Sequence, residues 1–390
     1  MLIFKLAYRN IKGAGLRTWL NVAVLSLIYV LIIAHQGIFS GMLRYGTHER
    51  ISDEIGGGQY WHRNYDPYDP LSLDDSHGLP EGEPARLINE GKAVSILIRP
   101  ASIYPEGRIQ TIMLKGIDPD QKILNIPTSS LQLQEDILPV LLGKRMAKRI
   151  SAKKDDYITI RWRDVNGTFD AVEGKITEIM NTGVPAIDNG QLWIPLKALQ
   201  EMIQMPGEAT MIVVGSDVTG LKDTGLWKFR NHDFLLKDIH SMVKSKRVSS
   251  SILYAILLFM AMLAVFDTQI LAIFRRRKEI GTLIALGMTR LKVVALFTLE
   301  GAMHGILAAV AGAVYGIPLI IYFAKTGMKM PEATDSYGFT IAETVYPLYS
   351  VKLVLVTVLI VMATVTVVSF MPSRKIAKMK PTDALKGKIS

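Results

Sequence analysis

Three ionisable residues lie inside long apolar segments of the sequence: Asp267, Glu300 and His304. Ionisable side chains are costly inside a membrane, so they are candidates for a proton relay or for contact with a transported molecule. Glu300 and His304 are spaced i, i+4, which places them on one helix face and allows them to pair. Because both acids lie near one end of their segments, we favour a structural role, either hydrogen bonding between helices or snorkelling to the membrane surface.

The usual motifs for enzymatic chemistry are missing from the sequence. It contains no GxxxxGK[ST] phosphate loop, no GxGxxG and no HExxH, and it has no cysteine. We therefore expect no catalytic residue, no metal site, no cofactor and no ATP site of the usual kind in this chain.

Four long apolar runs predict four transmembrane helices, since a membrane span needs about 20 apolar residues. We place these helices at residues 20–43, 250–274, 293–324 and 351–372. The first run is too long for a cleaved signal peptide and lacks a small-residue cleavage site, so we interpret it as an uncleaved anchor.

The distribution of charge predicts the orientation of these helices. Basic residues dominate segments 1–19, 275–292 and 373–390, and short basic segments stay in the cytoplasm. We expect 1–19 to be a cytoplasmic amphipathic helix, 373–390 a cytoplasmic tail, and 44–249 and 325–350 to lie outside. The net charge of +10 thus indicates topology and not nucleic-acid binding.

The large outer segment, 44–249, has the pattern of a folded domain. Several stretches rich in β-branched and aromatic residues predict strands, and shorter stretches between them predict helices. Because these elements do not alternate regularly, we predict an α+β domain inserted between the first two membrane helices.

The segment 275–292 combines a basic cluster with an amphipathic pattern. The cluster comprises Arg275, Arg276, Arg277 and Lys278, which we interpret as a topology signal that can also touch the membrane surface. From Glu279 to Leu291, apolar residues recur at helical spacing, which predicts an amphipathic helix. The pattern by itself is also compatible with a helix lying passively on the lipid.

The third predicted span contains two GxxxG pairs, Gly301/Gly305 and Gly312/Gly316. This spacing allows close helix packing, although it is also common by chance.

The stretch "RRRKEIGTLIALGMTRLKVVALFTLEG" closely resembles the signature of the FtsX/MacB-type permeases of ABC transporters, a family that includes the LolC and LolE subunits of the lipoprotein-releasing system. The matching residues are Glu279, Ile280, Gly281, Ala285, Leu286, Gly287, Arg290, Glu300 and Gly301. The start "FKLAYRNIKGAGLRTWLNVAVL" and the tail "MPSRKIAKMKPTDALKG" are similar to the family's terminal motifs. Asp267 departs from the expected pattern, because asparagine is usual at that position.

The resemblance implies a permease that works by mechanotransmission. Four spans carry a MacB-like periplasmic domain, and two permease chains pair as a homodimer or heterodimer in the bacterial inner membrane. A separate ATPase dimer binds ATP and Mg and docks on the coupling helix. The coupling residues it implies are Glu279, Ile280, Gly281, Leu283, Ile284, Ala285, Leu286, Gly287 and Arg290.

Three functions are compatible with that resemblance. The first is release of lipoproteins from the inner membrane toward the outer membrane, which we favour because of the large outer domain. The second is export of a drug, peptide or toxin with an adaptor and an outer-membrane channel. The third is an FtsX-like transmitter that activates a cell-wall hydrolase without transport. For the first, we expect lipid contacts at Ile38, Phe39, Met42, Ile252, Leu253 and Ile256.

Overall fold

The computed structural model describes residues 15–132, 137–182, 185–329 and 344–378. These residues form two compact units, which we describe separately. A helical unit contains residues 15–42, 243–329 and 344–378, and a second unit, here called the sheet unit, contains residues 43–242 except the two short undescribed segments.

Ten α-helices occur in the described ranges. In chain order they are α1 (Leu16–Arg50), α2 (Glu83–Asn89), α3 (Lys144–Arg149), α4 (Pro185–Gly190), α5 (Leu196–Met202), α6 (His232–Leu235), α7 (Lys237–Arg275), α8 (Arg277–Ala285), α9 (Arg290–Thr326) and α10 (Val351–Ser373). Four of them, α1, α7, α9 and α10, are long and apolar enough to cross a membrane. The prediction of four long apolar helices is therefore confirmed.

Eleven β-strands accompany these helices in the described ranges. They are β1 (Gly58–His62), β2 (Ala93–Ile103), β3 (Gln110–Ile117), β4 (Leu138–Gly143), β5 (Tyr157–Arg163), β6 (Phe169–Met180), β7 (Gln191–Pro195), β8 (Met211–Val214), β9 (Trp227–Arg230), β10 (Met328–Lys329) and β11 (Thr344–Val345). The first nine form one sheet, and β10 and β11 form a separate antiparallel pair.

The nine-stranded sheet closes partly on itself. Its order is β3-β7-β4-β6-β5-β2-β8-β1-β9, and β2 also pairs with β3. Six strands therefore form a closed hydrogen-bonded circuit, from which β8, β1 and β9 extend. The long strand β2 makes this possible, since residues 93–96 pair with β8 and residues 101–103 pair with β5.

Alternation along the strands divides the apolar residues of the sheet unit into separate cores. In β5, Ile158, Ile160 and Trp162 are buried while their neighbours are exposed, as expected when only one face of a strand is covered. These three residues belong to a core that also contains Leu97, Leu114 and Leu192. A second core contains residues of the opposite parity, including Ile96, Ile98 and Trp193.

The first and last strands of the sheet unit are direct neighbours. β1 and β9 pair antiparallel, with Gln59 opposite Arg230 and His62 opposite Trp227. The ring of His232, in α6, also hydrogen-bonds the carbonyl of Gly56 at 2.8 Å. The two chain segments that connect this unit to α1 and α7 are therefore held together.

Within the helical unit, α1 and α7 are tied by side-chain hydrogen bonds at two depths. The Asn21 amide donates to the carbonyl of Ala264 at 3.2 Å and contacts the Thr268 hydroxyl. Farther along α1, the His35 ring lies 2.9 Å from the Tyr254 hydroxyl. The same number of residues separates Asn21 from His35 as separates Tyr254 from Thr268, so the antiparallel register is constant over about 21 Å of helix.

Several helix ends differ from the sequence prediction. α1 and α7 extend well beyond the predicted spans, and the short helix α6 directly precedes α7. In the sheet unit, the segments that form α2, β4, α4 and β9 were not predicted as regular elements. Most of segment 1–19, residues 330–343 of the outer loop and the tail after residue 378 lie outside the described residues.

Candidate functional site

The candidate site is the short segment that connects α7 to α9 and contains α8. The helix predicted to run from Glu279 to Leu291 is shorter in the structure, because α8 ends at Ala285. Gly287 has a φ of +94°, a left-handed conformation that glycine adopts without steric cost. The amide of Met288 donates to Leu283 and that of Gly287 donates to Ile284, both at 3.0 Å. This is a Schellman motif, which reverses the chain before α9 begins.

One face of α8 is packed against the helical unit. Ile280 is fully buried, and Leu283 and Ile284 are half-buried against it. Their cluster includes Val293, Val294 and Phe297 from the first turns of α9, together with Ile376 from the segment after α10. Gly281 is buried as well. The amphipathic pattern therefore serves to attach α8 to the start of α9 and to the segment that follows α10.

The opposite face of α8 and the following turn are exposed in the single chain. Leu286 is 80% exposed and Leu291, at the start of α9, is 78% exposed. Lys278, Glu279, Thr282, Ala285 and Gly287 are exposed alongside Leu286. We call this surface the α8 outer face.

Arg276 links three parts of the site through its guanidinium. It donates to Glu279 through Nε and Nη2, both at 2.6 Å, and to the two oxygens of Glu300 through Nη1 at 2.8 and 3.1 Å. Its guanidinium also stacks on the Phe297 ring at 4.8 Å. Glu300 is buried in α9, so the charge of Arg276 neutralises an acid that would otherwise be costly to bury.

The pKa values of Arg276 and Glu279 shift in the directions expected for an ion pair. Hydrogen bonds from Arg276 lower the pKa of Glu279. In turn, hydrogen bonding to Glu279, supported by the charge of Glu300, raises the pKa of Arg276. Both residues therefore remain charged at neutral pH and keep α8 attached to α9.

The four basic residues of the predicted topology signal have different surroundings. Arg275 and Lys278 are exposed, and Arg277 stacks on the Phe274 ring at 4.8 Å. Only Arg276 of these four has an ion pair with a buried acid among the described contacts. Arg290, the last of the implied coupling residues, is exposed at the start of α9. In the sequence the four residues form one basic cluster, whereas in the structure Arg276 has a structural position of its own.

The intramembrane polar residues do not converge on one site. Glu300 pairs with Arg276, and His304 is buried one turn farther along α9. Asp267 is instead exposed on α7. The glycine pairs of α9 contact different helices, since Gly301 and Gly305 lie against Ser369 and Met362 of α10, and Gly312 and Gly316 lie against Ser26 and Val30 of α1.

The residues proposed for lipid contact divide into two groups by exposure. Ile252, Leu253 and Ile256 on α7 are exposed, whereas Ile38, Phe39 and Met42 on α1 are half-buried. The bond between His35 and Tyr254 shows that α1 and α7 are neighbours close to these residues. Sequence analysis missed the polar contacts between α1 and α7, although Asn21, His35, Tyr254 and Thr268 stand at matching separations in the two apolar runs. Among the described residues, no group of three or more His, Cys, Asp or Glu side chains is placed to bind a metal.

Part of the chain matches a described protein family, and several known proteins are similar to it. Residues 251–381 match the family described as FtsX-like permease C-terminal, a range that contains α8, α9, α10 and the apolar part of α7. The lipoprotein-releasing system transmembrane protein LolC of Xylella fastidiosa (strain Temecula1) is 21% identical over 306 residues, which cover 72% of this chain and 74% of that protein.

Two further proteins are similar over smaller parts of the chain. An uncharacterized ABC transporter permease of Methanocaldococcus jannaschii is 32% identical over 138 residues, covering 34% of this chain and 31% of that protein. The extracellular domain of the ABC-type transporter YknZ from Gram-positive bacteria is 11% identical, covers 47% of this chain and 94% of that domain, and has a TM-score of 0.24, at which it carries no argument about the fold. The family match over residues 251–381 and the LolC relatives together support an FtsX/LolC-type permease of ABC transporters.

Proposed function

We propose that this chain is a transmembrane subunit of an ABC transporter that releases lipoproteins from the bacterial inner membrane by mechanotransmission. A partner ATPase dimer binds ATP and Mg and performs the hydrolysis, and a second permease chain completes the complex. Both termini and α8 lie in the cytoplasm, and the sheet unit lies in the periplasm. The basic character of the segments around α8 and at both chain ends supports this orientation.

The proposal rests mainly on the packing of α8, which has one buried face and one exposed face. Ile280 fixes one face against α9, while Leu286 leaves the other face open to a partner. A helix lying passively on lipid would direct its apolar face toward the membrane. In α8 that face is occupied by the chain's own residues, so the α8 outer face is available for docking the ATPase.

Motion of the ATPase would pass from α8 to α7 and then to α1. Only Arg276 separates the end of α7 from the start of α8, and its side chain is held by Glu279 and Glu300. A connection this short and this constrained transmits displacement. The bonds from Asn21 and His35 to α7 then make α1 follow α7, and both helices lead by direct chain connection to the sheet unit.

The choice of lipoproteins as cargo is supported by the relatives. Two LolC proteins of lipoprotein-releasing systems match this chain over 72% of its length. Half-buried and exposed apolar residues on α1 and α7, including Phe39 and Ile252, form a surface. Within the membrane this surface can contact acyl chains.

The proposal is tested by depleting the protein in cells and fractionating the membranes. Lipoproteins should accumulate in the inner membrane, and a copy carrying Leu286→Glu should fail to restore their release. Normal lipoprotein sorting after depletion would refute the cargo assignment. Increased drug sensitivity or loss of cell-wall hydrolase activity, with sorting intact, would refute it in favour of an exporter or a transmitter.

A further inference from the structure

A cleft of about 840 Å³ lies on the surface of the sheet unit, between helices α2 and α5. Its volume falls within the range of about 300–1,000 Å³ that is usual for ligand-binding pockets. None of the residues assigned above to coupling or to cargo contact lines it. The cleft is therefore a feature of the sheet unit that the proposed function does not use.

The two walls of the cleft are formed by one face of each helix. Ala85, Ile88 and Asn89 are spaced i, i+3, i+4 on α2, and Leu196 and Gln200 are spaced i, i+4 on α5. Residues at these spacings share one face of a helix. The walls are thus built by regular elements and not by a loop.

The floor of the cleft is the edge of the sheet at which β3 and β7 end. Ile96, Ile117 and Pro195 form one row across β2, β3 and β7. Directly beyond this row, Ser95 and the loop that begins at Asp118 line the cleft. Because β3 and β7 run parallel, their carboxyl ends meet at this edge, which is where open sheets of parallel strands bind their ligands.

Both signs of charge occur at the rim of the cleft. Asp118 and Asp120 are exposed there, and Oδ1 of Asp118 accepts from the Asp120 amide at 2.9 Å. Oδ1 of Asp120 accepts from the side-chain amide of Gln132 at 3.2 Å. The amine of Lys197 is exposed and has no hydrogen bond or ion pair among the described contacts. The rim can therefore bind a cation and an anion at the same time.

The lining of the cleft suits a peptide. The side-chain amides of Asn89 and Gln132 match the donors and acceptors of peptide groups, and Ile88 and Leu196 supply apolar contact. The described lining residues include no aromatic side chain and no arginine, so a nucleotide base would find no stacking surface. The carboxylates at the rim would also repel its phosphates.

We infer that this cleft binds an extended internal segment of a polypeptide in which a basic and an acidic side chain lie close together. The basic side chain binds Asp118 and Asp120, and the acidic side chain binds Lys197. The exposed rim lets the bound chain continue on either side, which favours an internal segment over a free peptide. The inference is independent of the proposed function, because it needs only residues of the sheet unit.

Peptide binding to the full-length protein in phosphatidylcholine nanodiscs tests the inference. The probe is a heptapeptide with acetylated and amidated ends, in which lysine and glutamate stand two residues apart among alanine, serine and leucine. Isothermal titration calorimetry should show saturable binding. One exposed ion pair corresponds to up to about fivefold in affinity, so Asp118→Asn/Asp120→Asn should bind about fivefold more weakly. This variant and the unmodified protein should bind equally a peptide that has glutamine in place of lysine.

Two further variants test the position and the charge of the site. Ala85→Trp fills the cleft from the α2 wall and should abolish measurable binding. Ala171 is exposed on β6, and Ala171→Trp is the matched control that should bind normally. Lys197→Glu should weaken binding of the first peptide, and affinity should return for a peptide with a second lysine in place of glutamate.

Four results would overturn the inference. They are a lack of saturable binding, equal affinity for a peptide with alanine at both charged positions, equal losses in the two tryptophan variants, and no recovery with the charge-reversed pair. Binding that occurs only when the peptide has free ends would also contradict it, since the charges of the rim would then recognise the termini of a free peptide. Lipoprotein sorting is not a readout of these experiments, so they can fail while the proposed function stands.

Discussion

The guanidinium of Arg276 lies 2.8 Å from a carboxylate oxygen of Glu300, which is 24 residues farther along the chain. Glu300 is buried in α9, and Arg276 stands between α7 and α8. One ion pair therefore fixes the position of α8 relative to the helix on which it packs. The same guanidinium also holds Glu279, so α8 is oriented as well as attached.

Replacing Glu300 with glutamine should weaken this attachment. Arg276 would lose Glu300 but keep Glu279, and because Arg276 is partly exposed the destabilisation should fall below the cost of about 3–5 kcal/mol for leaving a fully buried charge unpaired. We expect a lower thermal stability of the membrane-inserted protein and poor stimulation of ATP hydrolysis by cargo. Arg275→Gln is the control, because Arg275 is exposed. Equal effects of the two changes would contradict a special position for Arg276.

Gly287→Val should disturb the end of α8 without preventing membrane insertion. A β-branched residue at a φ of +94° is strained by about 1–2 kcal/mol, so the turn would rearrange and Leu286 would be displaced. Cargo-stimulated ATP hydrolysis should fall, while protein abundance in the membrane stays normal. Gly46→Ala is the control, since this glycine has open space around it and no positive φ. Full activity of Gly287→Val would show that the turn geometry is unimportant.

Leu286→Glu tests the α8 outer face directly. The side chain is 80% exposed, so folding should be unaffected, while a buried charge at a docking surface should prevent ATPase binding. Co-purification of the ATPase measures the effect. Leu71 is also 80% exposed, and Leu71→Glu in the sheet unit should leave co-purification intact. Normal ATPase recovery with Leu286→Glu would exclude this face as the docking surface.

The bond between His35 and Tyr254 predicts energetic coupling between α1 and α7. Polar contacts between membrane helices contribute about 0.6 kcal/mol on average. His35→Ala and Tyr254→Phe should each lower thermal stability, and the double variant should be less destabilised than the sum of the two. Strict additivity in this double-mutant cycle would show that the two side chains do not interact.

Lys115 gives the sheet unit a predicted dependence on pH. This amine lies in a buried position 5.0 Å from the Trp193 ring centroid, and burial lowers its pKa from the usual value of 10.5. The unfolded chain therefore binds more protons than the folded protein between the lowered pKa and 10.5, so stability should rise with pH across that window. Lys115→Met should raise the melting temperature at neutral pH and flatten this rise. An unchanged slope in the variant would rule out Lys115 as its source.

The sequence was sufficient for features that depend on long or periodic patterns. Four uncharged runs predicted the four apolar helices, and the spacing of Ile280, Leu283 and Ile284 predicted the packed face of α8. Most strands of the sheet unit were found because their β-branched residues alternate, as in β5.

Features that depend on contacts between distant segments could not be predicted in this way. Periodicity extended α8 to Leu291, because Gly287 and Met288 fall at helical spacing while the left-handed φ of Gly287 is a property of the folded turn. The pairing of Arg276 with Glu300 requires knowledge of which side of α9 faces α8. A strand as short as β9 has too few residues for a recognisable sequence pattern. It forms because β1 lies beside it.

The pairing of β1 with β9 has a mechanical consequence. Along the chain, Gln59 and Arg230 form the residue pair nearest to α1 and α7, and His62 and Trp227 form the pair farthest from them. A force that separates the two helices would therefore break the hydrogen bonds of this strand pair one after another, because both helices connect to the same end of the two strands. A force that moves both helices together would place no load on these hydrogen bonds. The hydrogen bonds from His35 and Asn21 to α7 keep the two helices together. They thus limit the separating force on the pair of β1 and β9, which that pair resists least.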